Sequence, residues 1–367
     1  MLERCVHSQG AAGVVLRSLT DDCNLALQLP DDPALAHATL VRLHTVLTAF
    51  AADAKATLNL DLNLDKCSLL LPPRHSVAPA CFNGIRVATR GFKVAGAPIG
   101  DDAFCADFIG RRVTEALAKI HTLKGIDPQV GMLLLRLCCM PLLNYLAQVT
   151  PPSLTAQHFA DFDTQVADFV MQLLTLPGRV SAPCAEDRMR AFHRRLRLPL
   201  RHNGAGLVGV DSIAAAAFAG SVIASTYADR VLPLHLGGLA RFAQPALSAL
   251  QARLAPLGAQ ASNSLLKLPS PVLFLDPSRY VELDSDENPV VPNMQQKWSR
   301  SVHDAALHTL IQEEEALGDC DFVHSQARAR PAATILQLPL SNSFFRLTPL
   351  RSTDVSANLR IWFSKSQ

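Results

Sequence analysis

Glycine and proline residues divide this chain into two regions of different character, and this division constrains the fold more than any other feature. Up to Gly100, short apolar runs alternate with turns, a pattern typical of β-strands. Beyond it, apolar residues recur at helical spacing in longer segments that end at Pro or Gly. This arrangement indicates an α+β fold. We predict a small partial sheet over 1–100, a helical domain over 101–230 and a helical C-terminal region over 231–367 with an exposed acidic loop near 275–298.

Composition favours a folded protein and excludes general disorder. Of the 367 residues, 49% are hydrophobic and only 18% are charged. The net charge of +2 does not by itself require a nucleic-acid partner. The nine Cys residues show no C-x-x-C spacing, which favours reduced thiols in an intracellular protein. No segment reaches the roughly 20 apolar residues of a membrane span. We expect an intracellular protein without a membrane partner; nucleus and cytoplasm are not distinguished.

Two adjacent carboxylates, Asp21 and Asp22, stand between two predicted strands, Gly13–Thr20 and Cys23–Leu29. The second strand carries Leu at alternate positions, so we predict an antiparallel hairpin with both carboxylates accessible at its tip. Neighbouring like charges repel unless a cation lies beside them, and Mg²⁺ prefers carboxylate oxygens. On these two residues alone a solvated turn is the commoner explanation, because Asp is frequent in turns. A cation site and a solvated turn therefore both stay open at this point.

Further elements follow from periodicity. The strict alternation of Leu with Asn or Asp over Leu58–Asp65 predicts a half-buried strand. Pro and Gly stops predict three sequential helices over residues 103–176. The side chains expected inside these helices are Leu117, Leu133, Leu134, Leu137 and Phe169.

Four segments occur in an order that carries a resemblance. Leu19-Thr20-Asp21-Asp22 is followed by a helix, by Leu62–Cys67 (LNLDKC), by Gly91–Gly100 (GFKVAGAPIG) and by Asp127–Arg136 (DPQVGMLLLR). Over about residues 14–230 this series resembles the palm and thumb of a reverse transcriptase of a non-LTR-type retrotransposon. The resemblance implies that the chain derives from an RNA-directed DNA polymerase.

The resemblance also implies roles for particular residues. Asp21 and Asp22 would be catalytic carboxylates that bind Mg²⁺, and Lys66 would lie near the incoming triphosphate. An ordinary lysine at a strand end explains Lys66 equally well. RNA and DNA would be the partners, with no small-molecule cofactor. The residues in the primer-grip-like segment are Gly91, Phe92 and Gly96.

The resemblance predicts that this chain is inactive alone. A two-metal polymerase needs carboxylates from two strands, and Asp21 and Asp22 supply one of them. In the family, the fingers and the first catalytic carboxylate lie well upstream, whereas 20 residues precede Asp21 here. We therefore expect a fragment whose Mg²⁺ binding is weak or absent. The alternative is a non-catalytic nucleic-acid-binding remnant.

Basic side chains provide the candidate nucleic-acid contacts. A dense run lies between Arg188 and His202, and two further cations stand seven residues apart on the thumb-like helix. Such a run can follow a phosphate backbone, or it can be a solvated helix face. The residues selected are Arg112, Lys119, Arg190, Arg194, Arg195, Arg197 and Arg201.

Gly204–Gly209 (GAGLVG) matches the G-x-G-x-x-G pattern of dinucleotide-binding sites. That site requires a buried strand before the glycines and a βαβ unit around them, and the sequence predicts neither. We interpret the segment as a structural turn before the Ala-rich helix predicted over Asp211–Tyr227.

Overall fold

The computed structural model divides into two compact units, Met1–Asp107 with Leu350–Gln367 and Phe108–Pro349. The first contains a small sheet and the second is built mainly from helices, which confirms the predicted α+β fold. The residues that the structure describes are 15–19, 22–75, 78–174, 185–228, 236–258, 282–283, 289–290, 293–316 and 356–365.

The first unit begins with the predicted antiparallel hairpin. Strands β1 (Val15–Leu19) and β2 (Asp22–Gln28) pair so that Leu19 lies opposite Asp22. Leu25 and Leu27 of β2 are buried, and so is Leu29, which follows the strand. They belong to a core that also takes side chains from the next helix. The alternation in the sequence therefore identified the inward face of β2 correctly.

Helix α1 (Pro33–Leu58) starts as its sequence predicts. The side chain of Asp32 accepts the backbone N–H of Leu35 at 2.9 Å, and Pro33 occupies the first turn. The spacing of three, four and three residues between Leu40, Leu43, Leu47 and Phe50 predicts one apolar face, and all four side chains are buried. Asn59 ends the helix in the left-handed conformation at φ 52°.

The single strand predicted over Leu58–Asp65 is wrong. Helix α1 extends through Leu58, so this residue is exposed in a last helical turn instead of buried in a strand. Only Leu60–Leu62 forms a strand, β3, and a 3₁₀ turn over Leu64–Lys66 follows. The alternation is interrupted because the side chain of Asn63 accepts the Lys66 N–H and stabilises that turn.

The sheet has the strand order β1-β2-β10-β4-β5, with β3 also paired to β10. Strands β4 (Ser68–Leu70) and β5 (Arg86–Ala88) are parallel, and β10 (Ser356–Lys365) is antiparallel to β2, β3 and β4. The central strand therefore comes from the C-terminal region, which was predicted to be helical. Apolar and polar residues alternate over 357–361 (ANLRI), and this alternation is the signal that was missed.

Strands β6 (Gly91–Val94) and β7 (Ala97–Gly100) form a separate two-stranded hairpin in the first unit. Phe92 and Val94 are buried against Leu70 of β4. The hairpin therefore shares a small apolar core with the main sheet.

The helices predicted over 103–176 are present, and apart from the start of the first helix they belong to the second unit. The caps and stops are those expected, including the side chain of Asp127, which accepts the Gln129 and Val130 N–H groups. The second helix is not regular, because a π-helical segment (135–139) and a 3₁₀ turn (140–143) interrupt it. The α-helical segments are α2 (Asp102–His121), α3 (Pro128–Leu134), α4 (Asn144–Val149) and α5 (Pro152–Leu173).

Part of the interior predicted for these helices is wrong. Phe169 is buried, but Leu133 and Leu137 are exposed, and Leu135 and Cys139 are buried instead. A π turn adds one residue to the helix, and one residue rotates a helix by about 100°. The apolar periodicity therefore changes face within this stretch, and a regular helix does not predict which leucines are buried.

Two helical stretches within the described residues, Pro33–Leu58 and Pro128–Val149, are long and apolar enough to meet the criteria for crossing a membrane. The core helix of a soluble protein meets the same criteria. Helix α1 places one whole face in the core of the first unit. The expected absence of a membrane partner stays a prediction.

The remaining helices of the second unit are α6 (Ala185–Arg197), α7 (Val210–Ala228), α8 (Leu236–Leu254) and α9 (Met294–Ala316). One core takes side chains from α7, α8 and α9, and therefore from both sides of the boundary predicted at residue 230. A Cβ added at Gly220 would lie 2.5 Å from the backbone nitrogen of Gln295, so α7 and α9 approach closely there.

Helix α9 begins earlier than expected. The predicted exposed loop near 275–298 contains two short paired strands, β8 (Glu282–Leu283) and β9 (Pro289–Val290). Its last five residues are helical, and Met294 and Trp298 are buried. Their spacing of four residues places both on the helix face that packs in the shared core.

Candidate functional site

The structure places Asp22 at the first position of β2, opposite Leu19 at the end of β1. The two residues between these paired positions, Thr20 and Asp21, lie outside the described residues, as does the side chain of Asp22. The strands of the predicted hairpin are therefore confirmed. The accessibility of the two carboxylates stays a prediction.

The pairing of β10 relates the hairpin to the segment that contains Lys66. Asp22 lies opposite Trp362, Leu62 lies opposite Phe363, and Ser68 lies opposite Arg360. Residues 63–67 therefore occupy the place opposite 361–362, and the surplus residues form the 3₁₀ turn. We call residues 63–67 the bulge. It stands across one strand from Asp22, about 10 Å away at two strand spacings.

Local hydrogen bonds hold the bulge in place. Asn63 Oδ1 accepts the backbone N–H of Lys66 at 3.3 Å, and the Cys67 thiol lies 3.2 Å from the carbonyl oxygen of Asn63. Cys67 is fully buried, whereas Asp65 and Lys66 are exposed. The bulge is thus anchored by its last residue and presents one carboxylate and one ammonium group to solvent.

Further carboxylates near Asp22 come from β3 and the bulge. Asp61 of β3 forms an ion pair with Lys55 at 2.7 Å, and Asp65 belongs to the bulge. The sequence of β10 contains no Asp or Glu. Within the described parts of the chain, no group of three or more His, Cys, Asp or Glu residues could hold a metal.

The primer-grip-like residues each have a packing role in the β6–β7 hairpin. Phe92 is buried, and Gly96 adopts φ 88° in the tight turn. A Cβ added at Gly91 would overlap the ring of Phe104. The exposed side chain of this hairpin is Lys93.

The two cations predicted on the thumb-like helix are exposed on α2. Arg112 and Lys119 are seven residues apart, which places them two turns apart on one face. Arg112 forms an exposed ion pair with Glu115, one turn away. Burial and the neighbouring Cys138 raise the pKa of the Cys139 thiol, and the charge of Lys119 acts in the opposite direction.

The basic run of α6 faces acidic residues of α9. Arg194 pairs with Glu313 at 3.0 Å, and Arg195 pairs with Glu314 at 2.5 Å. In the 3₁₀ turn after α6, Arg201 lies 3.9 Å from Asp304. Arg190 is exposed. The structure thus brings most of the predicted nucleic-acid contacts together, but against carboxylates of the same unit.

Arg197 instead lies beside a buried carboxylate that the sequence analysis missed. Asp163 of α5 accepts the N–H of Val210 at 3.0 Å and that of Asp211 at 3.1 Å, and thereby caps α7. Burial raises the pKa of Asp163 to about 6, although Arg197 and the two N–H donors act in the opposite direction. Asp163 and Arg197 line a small cavity together with Met140, Val166, Ala167, Leu196, Leu207 and Gly209.

The glycines of 204–209 make this cap possible. A Cβ at Gly209 would lie 2.5 Å from the Asp163 carboxylate, and a Cβ at Gly204 would overlap the carbonyl oxygen of Leu198. Among the described residues, a 3₁₀ turn over Leu200–His202 precedes the glycines where a dinucleotide site needs a strand. The segment is a structural turn. Gly209, the residue before α7, has no side chain that could cap the helix. This was the signal that a distant residue must cap α7.

Comparisons of the chain with protein-family models, with curated proteins and with solved structures found no match. The resemblance to reverse transcriptases therefore depends on the sequence segments quoted.

Proposed function

We propose that this chain is the palm and thumb part of a retroelement reverse transcriptase, whose parent reaction is template-directed DNA synthesis. The observation that carries the proposal is the register across β10. It places Asp22 and the bulge with Lys66 at the same end of the sheet, although the two residues are far apart in sequence. The parent chemistry needs carboxylates and a cationic side chain in one place.

The proposed roles follow from the chemistry of phosphoryl transfer. Two divalent cations hold the attacking 3′-hydroxyl and the departing pyrophosphate, and carboxylates bind these cations. Asp21 and Asp22 would supply oxygen ligands for Mg²⁺ at the hairpin tip. The exposed ammonium group of Lys66 would neutralise triphosphate charge. Arg112 and Lys119 on one face of α2 would contact the phosphate backbone.

We further propose that this chain does not polymerise alone. The strand next to β2 is β10, and its sequence supplies no second carboxylate. Asp61 and Asp65 stand across β10, and Asp61 is already paired with Lys55. A cation with one or two protein ligands stays hydrated and weakly bound, so the reacting groups are not held in line. Positioning contributes roughly 7–11 kcal/mol to such reactions.

Primer extension tests this proposal. The purified chain is given primer, template, dNTPs and either Mg²⁺ or Mn²⁺, beside the variant D21A/D22A. We expect no extension above that of the variant. The matched control is D31N/D32N, which changes another adjacent Asp pair and keeps a capping side chain on α1. Extension that is lost in D21A/D22A and retained in D31N/D32N would overturn the proposed inactivity.

The second candidate function is non-catalytic binding of nucleic acid. The observation that favours it is the run of cations from Arg190 to Arg201, of which Arg190, Arg194 and Arg201 are at least a third exposed. Phosphate contacts make affinity fall as salt rises, so this function is read from the salt dependence of binding.

A further inference from the structure

The acidic helix α9 lies against the basic residues of α6 and the turn that follows it. Arg194 Nη2 is 3.0 Å from Glu313 Oε1, and Arg201 Nη2 is 3.9 Å from Asp304 Oδ1. Asp304 also accepts from His202 Nε2 at 2.9 Å. These carboxylates therefore occupy donors that a phosphate group would otherwise use.

The ion pairs between the two helices are of two kinds. Glu314 is only 1% exposed and pairs with Arg195, which is 35% exposed, so removing Arg195 leaves a buried carboxylate without this partner. The side chains of Arg194 and Glu313 are 36% and 31% exposed, and those of Arg201 and Asp304 are 33% and 53% exposed. Exposed pairs of this kind are weak and exchange partners readily. The Arg195–Glu314 pair holds the two helices together. The exposed pairs leave the guanidinium groups of Arg194 and Arg201 available to other anions.

We propose that Arg194 and Arg201 bind the phosphate backbone of a nucleic acid, and that Asp304 and Glu313 compete with it for the same guanidinium groups. The inference rests on the nucleic-acid-binding part of the proposed function. A polyanion displaces the carboxylates because it offers many phosphates and releases its condensed counterions when it is neutralised. Helix α9 thus acts as an intramolecular competitor that lowers affinity, while the Arg195–Glu314 pair keeps it in place.

The test compares two variants with the same change in net charge. D304N/E313Q removes the competing carboxylates, and D161N/E315Q removes two exposed carboxylates of the same unit, neither of which forms an ion pair with a described residue. Binding of a fluorescent single-stranded oligonucleotide is measured between about 50 and 200 mM salt. We expect D304N/E313Q to bind about tenfold more tightly at low salt, with a log–log salt slope steeper by one to two units, and the control to change by about twofold or less.

A third variant guards against a general loss of structure. Adding R194A and R201A to D304N/E313Q should return the affinity and the slope to those of the unchanged chain, and circular dichroism should show the same helix content in all variants. Equal gains in D304N/E313Q and D161N/E315Q would overturn the inference, since net charge alone would explain them. Absence of measurable binding in every variant would also overturn it. Neither outcome bears on the hairpin, because Asp21, Asp22 and Lys66 are unchanged.

Discussion

At the scale of single residues, Asp163 joins three helices of the second unit. Its carboxylate on α5 takes the first two N–H groups of α7, and Arg197 of α6 lies beside it. These contacts favour the charged form, but burial disfavours it more strongly, so the pKa rises from 3.8 to about 6. The fold therefore holds a carboxylate whose charge costs stability at neutral pH.

This shift predicts how stability depends on pH. Because the folded pKa of Asp163 exceeds the unfolded value, its stabilising contribution is fully present below pH 3.8 and is lost as pH rises through about 6. Two pKa units correspond to about 3 kcal/mol. Unfolding by urea at several pH values should show this component in the unchanged chain and not in D163N.

His303 makes the comparison with D163N necessary. Burial lowers the pKa of His303 to about 4, so its contribution is present above pH 6.5 and is lost as pH falls through 4. The two groups act in opposite directions over the same range, and the total can be flat. The difference between the unchanged chain and D163N isolates Asp163. A difference that does not vary between pH 4 and 7 would contradict the raised pKa.

The sequence predicted residues whose roles depend on near neighbours. Asp32 and Asp127 cap the helices that directly follow them, and alternation identified Leu25 and Leu27 as buried. Asp163 was missed because the two N–H groups that it accepts belong to residues almost fifty positions later. Nothing in its own segment distinguishes it from the exposed Asp161.

At the scale of elements, β10 is the strand on which the sheet depends. It pairs with β2 on one side and with β3 and β4 on the other, and β2 and β4 do not pair with each other. Without it, the described sheet divides into β1-β2 and β4-β5, each with an edge that faces no partner. Two-stranded units of this kind are marginally stable in water.

Removal of residues 356–367 should therefore release both flanking strands. We expect the amide hydrogens of β2 and β4 to exchange rapidly in the shortened chain, while those of α7 and α9 stay protected. A finer variant is R360P, since Arg360 pairs with Asn24 and Ser68 and proline donates no hydrogen bond. The control is S356P at the first position of the strand, where proline is tolerated. Unchanged amide hydrogen exchange in β2 after truncation would contradict the central position of β10 in the sheet.

Among the elements, those with strong local signals were predicted and the interrupted ones were not. Helices α1 and α5 follow from Pro starts and regular apolar spacing. The π-helical segment changes the buried face within a continuous helix, and periodicity read as a regular helix cannot show this. The bulge interrupts a regular alternation, and because its neighbour across the sheet, β10, is distant in sequence, the alternation alone predicts one continuous strand.

At the scale of the whole molecule, the change of character near Gly100 correctly indicated a sheet followed by helices. The first compact unit ends at Asp107, close to that position, but it also includes residues 350–367. No local sequence pattern predicts that the last residues of a chain pair with strands formed by its first residues. The candidate site could not be predicted from the sequence for the same reason, because only pairing with β10 relates Asp22 to the bulge.

The central proposal is that Asp21 and Asp22 bind a divalent cation at the tip of the hairpin, and that the bulge lies beside this cation. Iron(II) added in place of Mg²⁺, with ascorbate and peroxide, cleaves the backbone near the bound metal. We predict cleavage at residues 20–23 and again at 63–67, lost in D21N/D22N and retained in D31N/D32N. Cleavage confined to one segment, or the same pattern in D21N/D22N, would contradict the claim.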